Sequence, residues 1–267
     1  MLRAKVNLFD VIDAEAAESD LALEVTDEIG NGTADGRGDC VARAAVMFRR
    51  AFGVRTGARL RLTKRIPAGA GLGGGASDAA GTLVALARLH HIRFDRGLLA
   101  TLKKLALKLG GDVPFFTRTE PVCDIRGSGG RPKPVAVSGT LPWIILVFPS
   151  KITVREAVLE RWRPDDKGAV LTRLSHLDTL KKKLGKGRPI SEWEGLLFNQ
   201  LEHAVLDIHP GVRQAHSILN RLRLQGVSVS GFGAAVFGFV PSREEGEAVM
   251  RRLRGYPWKT FLVSCLG

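Results

Sequence analysis

The sequence predicts an α+β fold in two domains, and three observations carry that prediction. A glycine-rich turn, "PAGAGLGGGASDAA" (Pro67–Ala80), stands between a strand pattern and a helix pattern. The helix that follows leads into a second helix, "RGLLATLKKLALKL", rather than into the strand that a repeated βαβ fold would require. The texture then changes towards helices after Pro149. A division near residue 150 gives an N-terminal domain over 1–149 and a C-terminal domain over 150–267, and the 267-residue length accommodates both.

The elements follow in order. "RAKVNLFDVI" has the β-branched and aromatic content of a strand. Asp39 is placed to cap a helix over Cys40–Phe52, with Gly53 as its stop. "ARLRLTKRI" alternates apolar and basic residues, the period of a half-buried strand. A helix is expected from about Ala76 to His90, and Asp95 caps the next one, which closes at Gly110 and Gly111. "GDVPFF" reads as a loop. Short strands are expected around Val122–Ile125 and Pro134–Val137, and a strong one over Trp143–Phe148. Beyond it, helices are expected over about Val154–Trp162, Thr172–Lys183, Ser191–Leu206 and Gly211–Leu224. "GVSVSGFGAAVFGFVPS" reads as two strands about a glycine turn. Ser242 and Glu245 form a capping box opening a helix to Leu253, and "KTFLVSCL" is a closing strand.

Composition narrows the function. A net charge of +13 favours anionic partners: nucleic acid, an anionic membrane surface or phosphorylated small molecules. The densest basic run, "LKKKLGKGR", reads as a solvated helix end and loop, and the "RGD" in "GRGDC" as chance. The three cysteines are odd in number and far apart, which argues against a disulfide framework or a zinc site. No apolar run reaches membrane-spanning length, and "MLRAKVNLFDVID" meets an aspartate before a signal sequence develops, so a cytoplasmic location is expected.

The glycine loop has three readings. A plain flexible turn does not account for so many glycines between a strand and a helix. Gly69, Gly71 and Gly74 satisfy the dinucleotide spacing, but that motif needs a following strand, and no Lys-Ser/Thr pair completes a Walker A loop. The third reading is a phosphate cradle. Glycines let backbone N–H groups turn inward as an anion-binding nest, and the helix beginning near Ala76 aims its N-terminal dipole at the same anion. Ser77 offers a hydroxyl to phosphate or Mg2+. Asp78 either helps hold the metal or favours the helix start.

This loop resembles the ATP-binding motif of the GHMP kinases. Its glycine triplet resembles one branch of them, which acts on a diphosphocytidyl-linked methylerythritol in isoprenoid precursor synthesis. "RAKVNLF", "LKLGGDVPFF", "DIRGSGG", "FNQLEHAVLDIHPGV" and "VSGFGAAVFGF" resemble that branch's other segments, in the same order. The resemblance implies an N-terminal domain like domain 2 of ribosomal protein S5, a ferredoxin-like C-terminal domain, and ATP meeting a small anionic substrate between them. It assigns Asp112 as general base and Lys5 as its neighbour, lowering the pKa of the attacking hydroxyl. Pro67, Gly69, Gly71, Leu72, Gly73, Gly74, Gly75, Ala76 and Ser77 would hold ATP, with Ser77 and Asp78 near Mg2+. Asn7, Gly231 and Gly233 would face the substrate. A monomer or weak homodimer is expected.

The chain departs from that branch in places that bear on specificity. The Asp-Gly-Tyr-His segment that holds the cytosine end is absent: the chain's only tyrosine is Tyr256 and its first histidine is His90. Val158 takes the place of an aromatic that stacks on the base. The third motif reads Ser230, Gly231, Phe232, Gly233, Ala234, Ala235, without two of the usual hydroxyls. These departures keep open a catalytically impaired, nucleotide-binding relative. A nucleic-acid-binding role lacks any aromatic-basic signature.

Overall fold

The computed structural model describes residues 1–30, 39–126, 131–149 and 155–266. The expected helix cap at Asp39 is the first described residue of its segment, so the "GRG" before it, with Arg37 and Gly38 of the "RGD", lies outside the described residues, as do parts of "DIRGSGG" and residues 150–154. By internal contacts the chain forms two units. The first comprises Met1, Leu8–Ala68 and Gly73–Lys133. The second comprises Leu2–Asn7, Gly69–Leu72 and Pro134–Gly267. The division thus falls at Lys133 rather than near 149, and two short N-terminal segments join the second unit. The strand over Trp143–Phe148 explains the shift, because it pairs with strands near the C-terminus.

The expected strand "RAKVNLFDVI" is interrupted. β1 (Leu2–Ala4) belongs to the second unit, and β2 (Val11–Ala17) starts the sheet of the first. β3 (Leu21–Asp27) is a strand that the sequence reading passed over, although "LALEVTD" alternates between half-buried and exposed positions. α1 (Asp39–Phe52) precedes β4 (Gly57–Lys64), the centre of a three-stranded sheet of order β2-β4-β3. β2 runs antiparallel to β4 and β3 parallel to it. Ala58, Leu60 and Leu62 point from β4 into a core shared with Val41, Ala44 and Phe48 of α1. α2 (Gly74–Leu89) adds Ala79, Leu83 and Leu86, and α3 (Arg96–Leu109) adds Leu98, Leu102 and Leu105. Asp95 does cap α3, accepting from the Leu98 N–H at 2.9 Å.

"GDVPFF" is not wholly loop: Val113–Phe116 form the short helix α4, which tolerates Pro114 because a first-turn residue has no intrahelical N–H bond to lose. β5 (Val122–Asp124) and β6 (Lys133–Pro134) follow, the latter shorter than expected.

β7 (Trp143–Phe148) is the buried central strand of the second unit. After it come α5 (Arg155–Arg161) and α6 (Lys167–Gly185). α6 starts earlier than expected because Asp166 accepts from the Ala169 N–H at 2.8 Å. The helix expected over Ser191–Leu206 breaks into two 3-10 turns and α7 (Glu202–Ile208). Asn199 causes part of that break, since its Oδ1 accepts from the Leu201 N–H and competes with helical pairing. α8 (Pro210–Arg221), β8 (Gln225–Val229), β9 (Val236–Val240), α9 (Arg243–Leu253) and β10 (Lys259–Val263) complete the chain. The Ser242 cap on α9 is present, accepting from the Glu245 N–H.

The sheet order β10-β7-β9-β8, antiparallel throughout, is the ferredoxin-like arrangement, with helices between β7 and β8 and between β9 and β10. Its core joins Ile145 and Val147 of β7 to Val205, Ala215 and Leu219 of the helices. Among the described residues no helix is long and apolar enough to cross a membrane.

Candidate active site

In the second unit, Lys5 and Asn7 lie on a short ribbon beside the C-terminal segment. Val6 bridges Cys265 in antiparallel sense, and the Leu266 N–H donates to the Lys5 carbonyl at 2.9 Å. The Asn7 N–H donates to the Ser264 carbonyl, and the Asn7 Oδ1 accepts from the Ser264 N–H at 2.8 Å. The Asn7 Oδ1 thus anchors the side chain to the ribbon, which orients its amide NH2 as a donor.

The same unit pairs the first half of the glycine loop with the third motif. The Ala234 and Ala235 N–H groups donate to the carbonyls of Gly69 and Ala70, and the Ser230 hydroxyl donates to the Gly71 carbonyl at 2.9 Å. Gly71 has φ +75, and a Cβ there would lie 2.1 Å from the Ser230 carbonyl oxygen. No other residue type fits that approach. Ala70 is buried in the ferredoxin-like core, and Leu72 packs against it. Two residues that the sequence reading did not single out hold the third motif in turn. Asn199 donates from Nδ2 to the carbonyls of Val229 and Gly231, and the Glu202 carboxylate accepts from the Val229 N–H at 2.8 Å and from the Ser228 hydroxyl. Phe232 is half-buried, with the Arg155 guanidinium 4.7 Å above its ring.

Val158 cannot replace a base-stacking aromatic. It is wholly buried in the core beneath α5, so that expected equivalence places no side chain at a substrate.

In the first unit, Pro67 is buried and the second half of the loop opens α2. Gly73 sits at the N-cap with φ +76, its backbone against the Phe116 ring of α4. Positive φ at Gly69, Gly71 and Gly73 alternates along the loop, the backbone pattern that turns successive N–H groups inward. Among the described residues, no acceptor meets the N–H groups of Gly71, Leu72, Gly73, Gly74 and Gly75. The Ala76 and Ser77 N–H groups are already used, closing the first turn onto the Gly73 carbonyl. The Ser77 hydroxyl donates to the Gly74 carbonyl at 2.7 Å, leaving its oxygen lone pairs available.

Asp78 does not face outward with them. Its carboxylate is 2% exposed and accepts from the Lys64 Nζ at 2.7 Å, while Lys64 also bonds Asp10. Burial pushes the Asp78 carboxyl up to about 7, with Lys64 opposing the rise and Asp10 adding to it. Taken up by Lys64, Asp78 is not disposed as a metal ligand, which corrects that expectation. Lys64 and Asp10 were missing from the sequence-based site. Yet Lys64 stands in phase with the inward-facing Leu60 and Leu62, so a strand period of two already turned its ammonium inside.

Asp112 precedes α4 at its N-cap position, with its carbonyl accepting from the Phe115 N–H and no side-chain cap bond. Its carboxylate is not consumed in capping that helix. Among the described residues no cluster of three acidic, histidine or cysteine side chains could hold a metal by itself.

N–H groups without an acceptor among the described residues at a helix start, an aspartate at the N-cap of α4 and a ferredoxin-like unit are features that suit phosphoryl transfer to a small molecule. Models of the GHMP kinase N-terminal and C-terminal domains match residues 17–120 and 178–257. The 4-diphosphocytidyl-2-C-methyl-D-erythritol kinase of Symbiobacterium thermophilum is 33% identical over 98% of this chain and 88% of that protein. The enzyme of that name from Thermus thermophilus is 34% identical over 83% and 74%. A crystal structure of 4-(cytidine 5'-diphospho)-2C-methyl-D-erythritol kinase superposes with a TM-score of 0.76 at 30% identity, covering 100% of this chain and 89% of that one. Homoserine kinase from Cytophaga hutchinsonii reaches 0.77 at 15% identity, covering 98% and 88%, which shows the shared fold alone. The chain belongs to the GHMP kinase family, and it is a small-molecule kinase.

Proposed function

We propose that this kinase transfers the γ-phosphoryl group of ATP to a hydroxyl of 4-diphosphocytidyl-2-C-methyl-D-erythritol, in the cytoplasm, as a step of isoprenoid precursor synthesis. The substrate follows from relatives of that name matching over most of their length. The observation that carries the ATP reading is the run of N–H groups from Gly71 to Gly75 that meet no acceptor among the described residues, where a triphosphate supplies acceptors. Pro67 and Ala76 frame that run. Mg2+ fits as an ion brought by the triphosphate and touched by the Ser77 hydroxyl, because the described residues offer no acidic cage of their own. When bound, it neutralises phosphate charge.

Asp112 takes the proton of the attacking hydroxyl, and Lys5 favours its ionised form; the ribbon with Ser264–Leu266 fixes the Lys5 backbone. Gly231 and Gly233 let the substrate approach the third-motif backbone, and the Asn7 amide donates to it. The net charge of +13 suits a substrate bearing a diphosphate.

Single-turnover transfer from Mg-ATP to that substrate tests the reading, with Asp112→Asn as control. The expected result is transfer by the wild type and a loss of about 100-fold or more in the variant, with ATP still bound. ATP binding without transfer to this substrate would instead favour another alcohol or an impaired relative, the reading that the absent Tyr/His segment and the altered third motif keep alive.

A further inference from the structure

The buried charges beneath the glycine loop have no part in the chemistry just described. Lys64 lies at the end of β4, Asp10 just before β2 and Asp78 in the second turn of α2, and their side chains are 5%, 2% and 2% exposed. The Lys64 ammonium donates to both carboxylates. Asp10 reaches further: its Oδ1 accepts from the Arg65 N–H and, at 2.8 Å, from the Ile66 N–H. Those two residues lead directly into Pro67 and the loop. On the far side, a Cβ at Gly74 would lie 3.3 Å from the Lys64 Nζ and 3.1 Å from Ile66 Cγ2, so the first residue of α2 rests on the same group.

We propose that Lys64 is a positioning residue for the phosphate loop: its buried ammonium, shared by Asp10 and Asp78, ties the strand that leads into the loop to the helix that leaves it. Burying three charges is an inefficient way to gain stability, because a well-packed apolar trio of the same volume serves as well. What the charged trio adds is geometry, since directional bonds fix both ends of the loop before a ligand arrives. A loop held in this way orders little on binding, and its N–H groups stand where the phosphates need them. The inference rests on the reading that the loop holds ATP.

Two variants break the tie. Asp78→Leu removes the helix side of it. Lys64→Met combined with Asp78→Asn removes one formal positive and one formal negative charge together, leaving Asp10 on its two backbone N–H groups. Asp78→Asn alone keeps an oxygen acceptor for Lys64 and serves as the conservative rescue. Titration with Mg-ATP is expected to show a Kd raised about tenfold or more in the two broken variants, while KM for the alcohol changes less than about twofold and Asp78→Asn stays near the wild type. Either broken variant, folded by its cooperative unfolding transition yet binding Mg-ATP as the wild type does, would overturn the tie and leave the ATP reading standing. A wild-type protein that fails to bind Mg-ATP would overturn both.

Discussion

Asp78 shows how one side chain looks different in sequence and in structure. In "GGGASDAA" it is an acidic residue at a helix start, equally suited to a metal or to the helix dipole. Its direction was not legible, because helical phase near an irregular glycine run is undefined until the first turn is placed. Lys64 was legible in principle, since it falls on the buried side of an alternating strand. The burial of Asp78, which outweighs its pairing with Lys64, has a measurable consequence. With its carboxyl raised from 3.8 to about 7, folded Asp78 keeps a proton that the unfolded chain has already lost between those values. The folded state then binds more protons, so stability falls as pH rises from about 4 to about 7 and levels off above. Asp78→Asn does not ionise, so its stability should lack this fall. Urea unfolding of both proteins at pH 5 and pH 7.5 checks it, with a difference of a few kcal/mol at most, as each pKa unit is worth about 1.4 kcal/mol. Parallel pH profiles would refute the assignment.

The element that carries the function is the loop, and the sequence exposed its purpose better than its support. Five glycines between Pro67 and Ala76 announce an anion site. That the first half of the run is bonded to a segment some 160 residues later could not be read from local pattern, although Gly71 is needed for that bond. The breaks in other elements had local causes within reach: the side chain of Asn199 turning the backbone, and Pro114 sitting where a helix begins. Gly71→Ala tests the pairing. A left-handed conformation alone costs about 1–2 kcal/mol in a residue with a Cβ. Gly139, at φ +72 with no described residue within 4 Å of where a Cβ would stand, provides that baseline. Gly71→Ala adds a clash with the Ser230 and Gly233 carbonyls, and should destabilise by at least about 1 kcal/mol more than Gly139→Ala in denaturant titration. Equal losses would mean that the third motif yields easily and does not fix the loop.

At the scale of the whole molecule, the two units are not two consecutive lengths of chain. Composition and texture pointed to a division near residue 150 because they weigh each stretch by itself. They were blind to the strand Trp143–Phe148 pairing with β9 and β10, and to short segments that leave their sequence neighbours. The second unit takes Leu2–Asn7, which pairs with Ser264–Leu266, and Gly69–Leu72, whose Ala70 is 1% exposed within the ferredoxin-like core. A fragment spanning residues 134–267 therefore contains every strand of the four-stranded sheet and still lacks part of its own packing. It leaves the Ala234 and Ala235 N–H groups without their loop acceptors and opens the core where Ala70 and Leu72 sit. Each buried polar group left unsatisfied costs about 1–3 kcal/mol, against a total stability of about 5–15 kcal/mol for a domain. The fragment is expected to show near-native helical circular dichroism but a broad thermal transition and dye-accessible apolar surface. A sharp, cooperative unfolding transition in the isolated fragment would show that the borrowed segments are dispensable to the fold, and that the loop is held by the third motif without holding it in return.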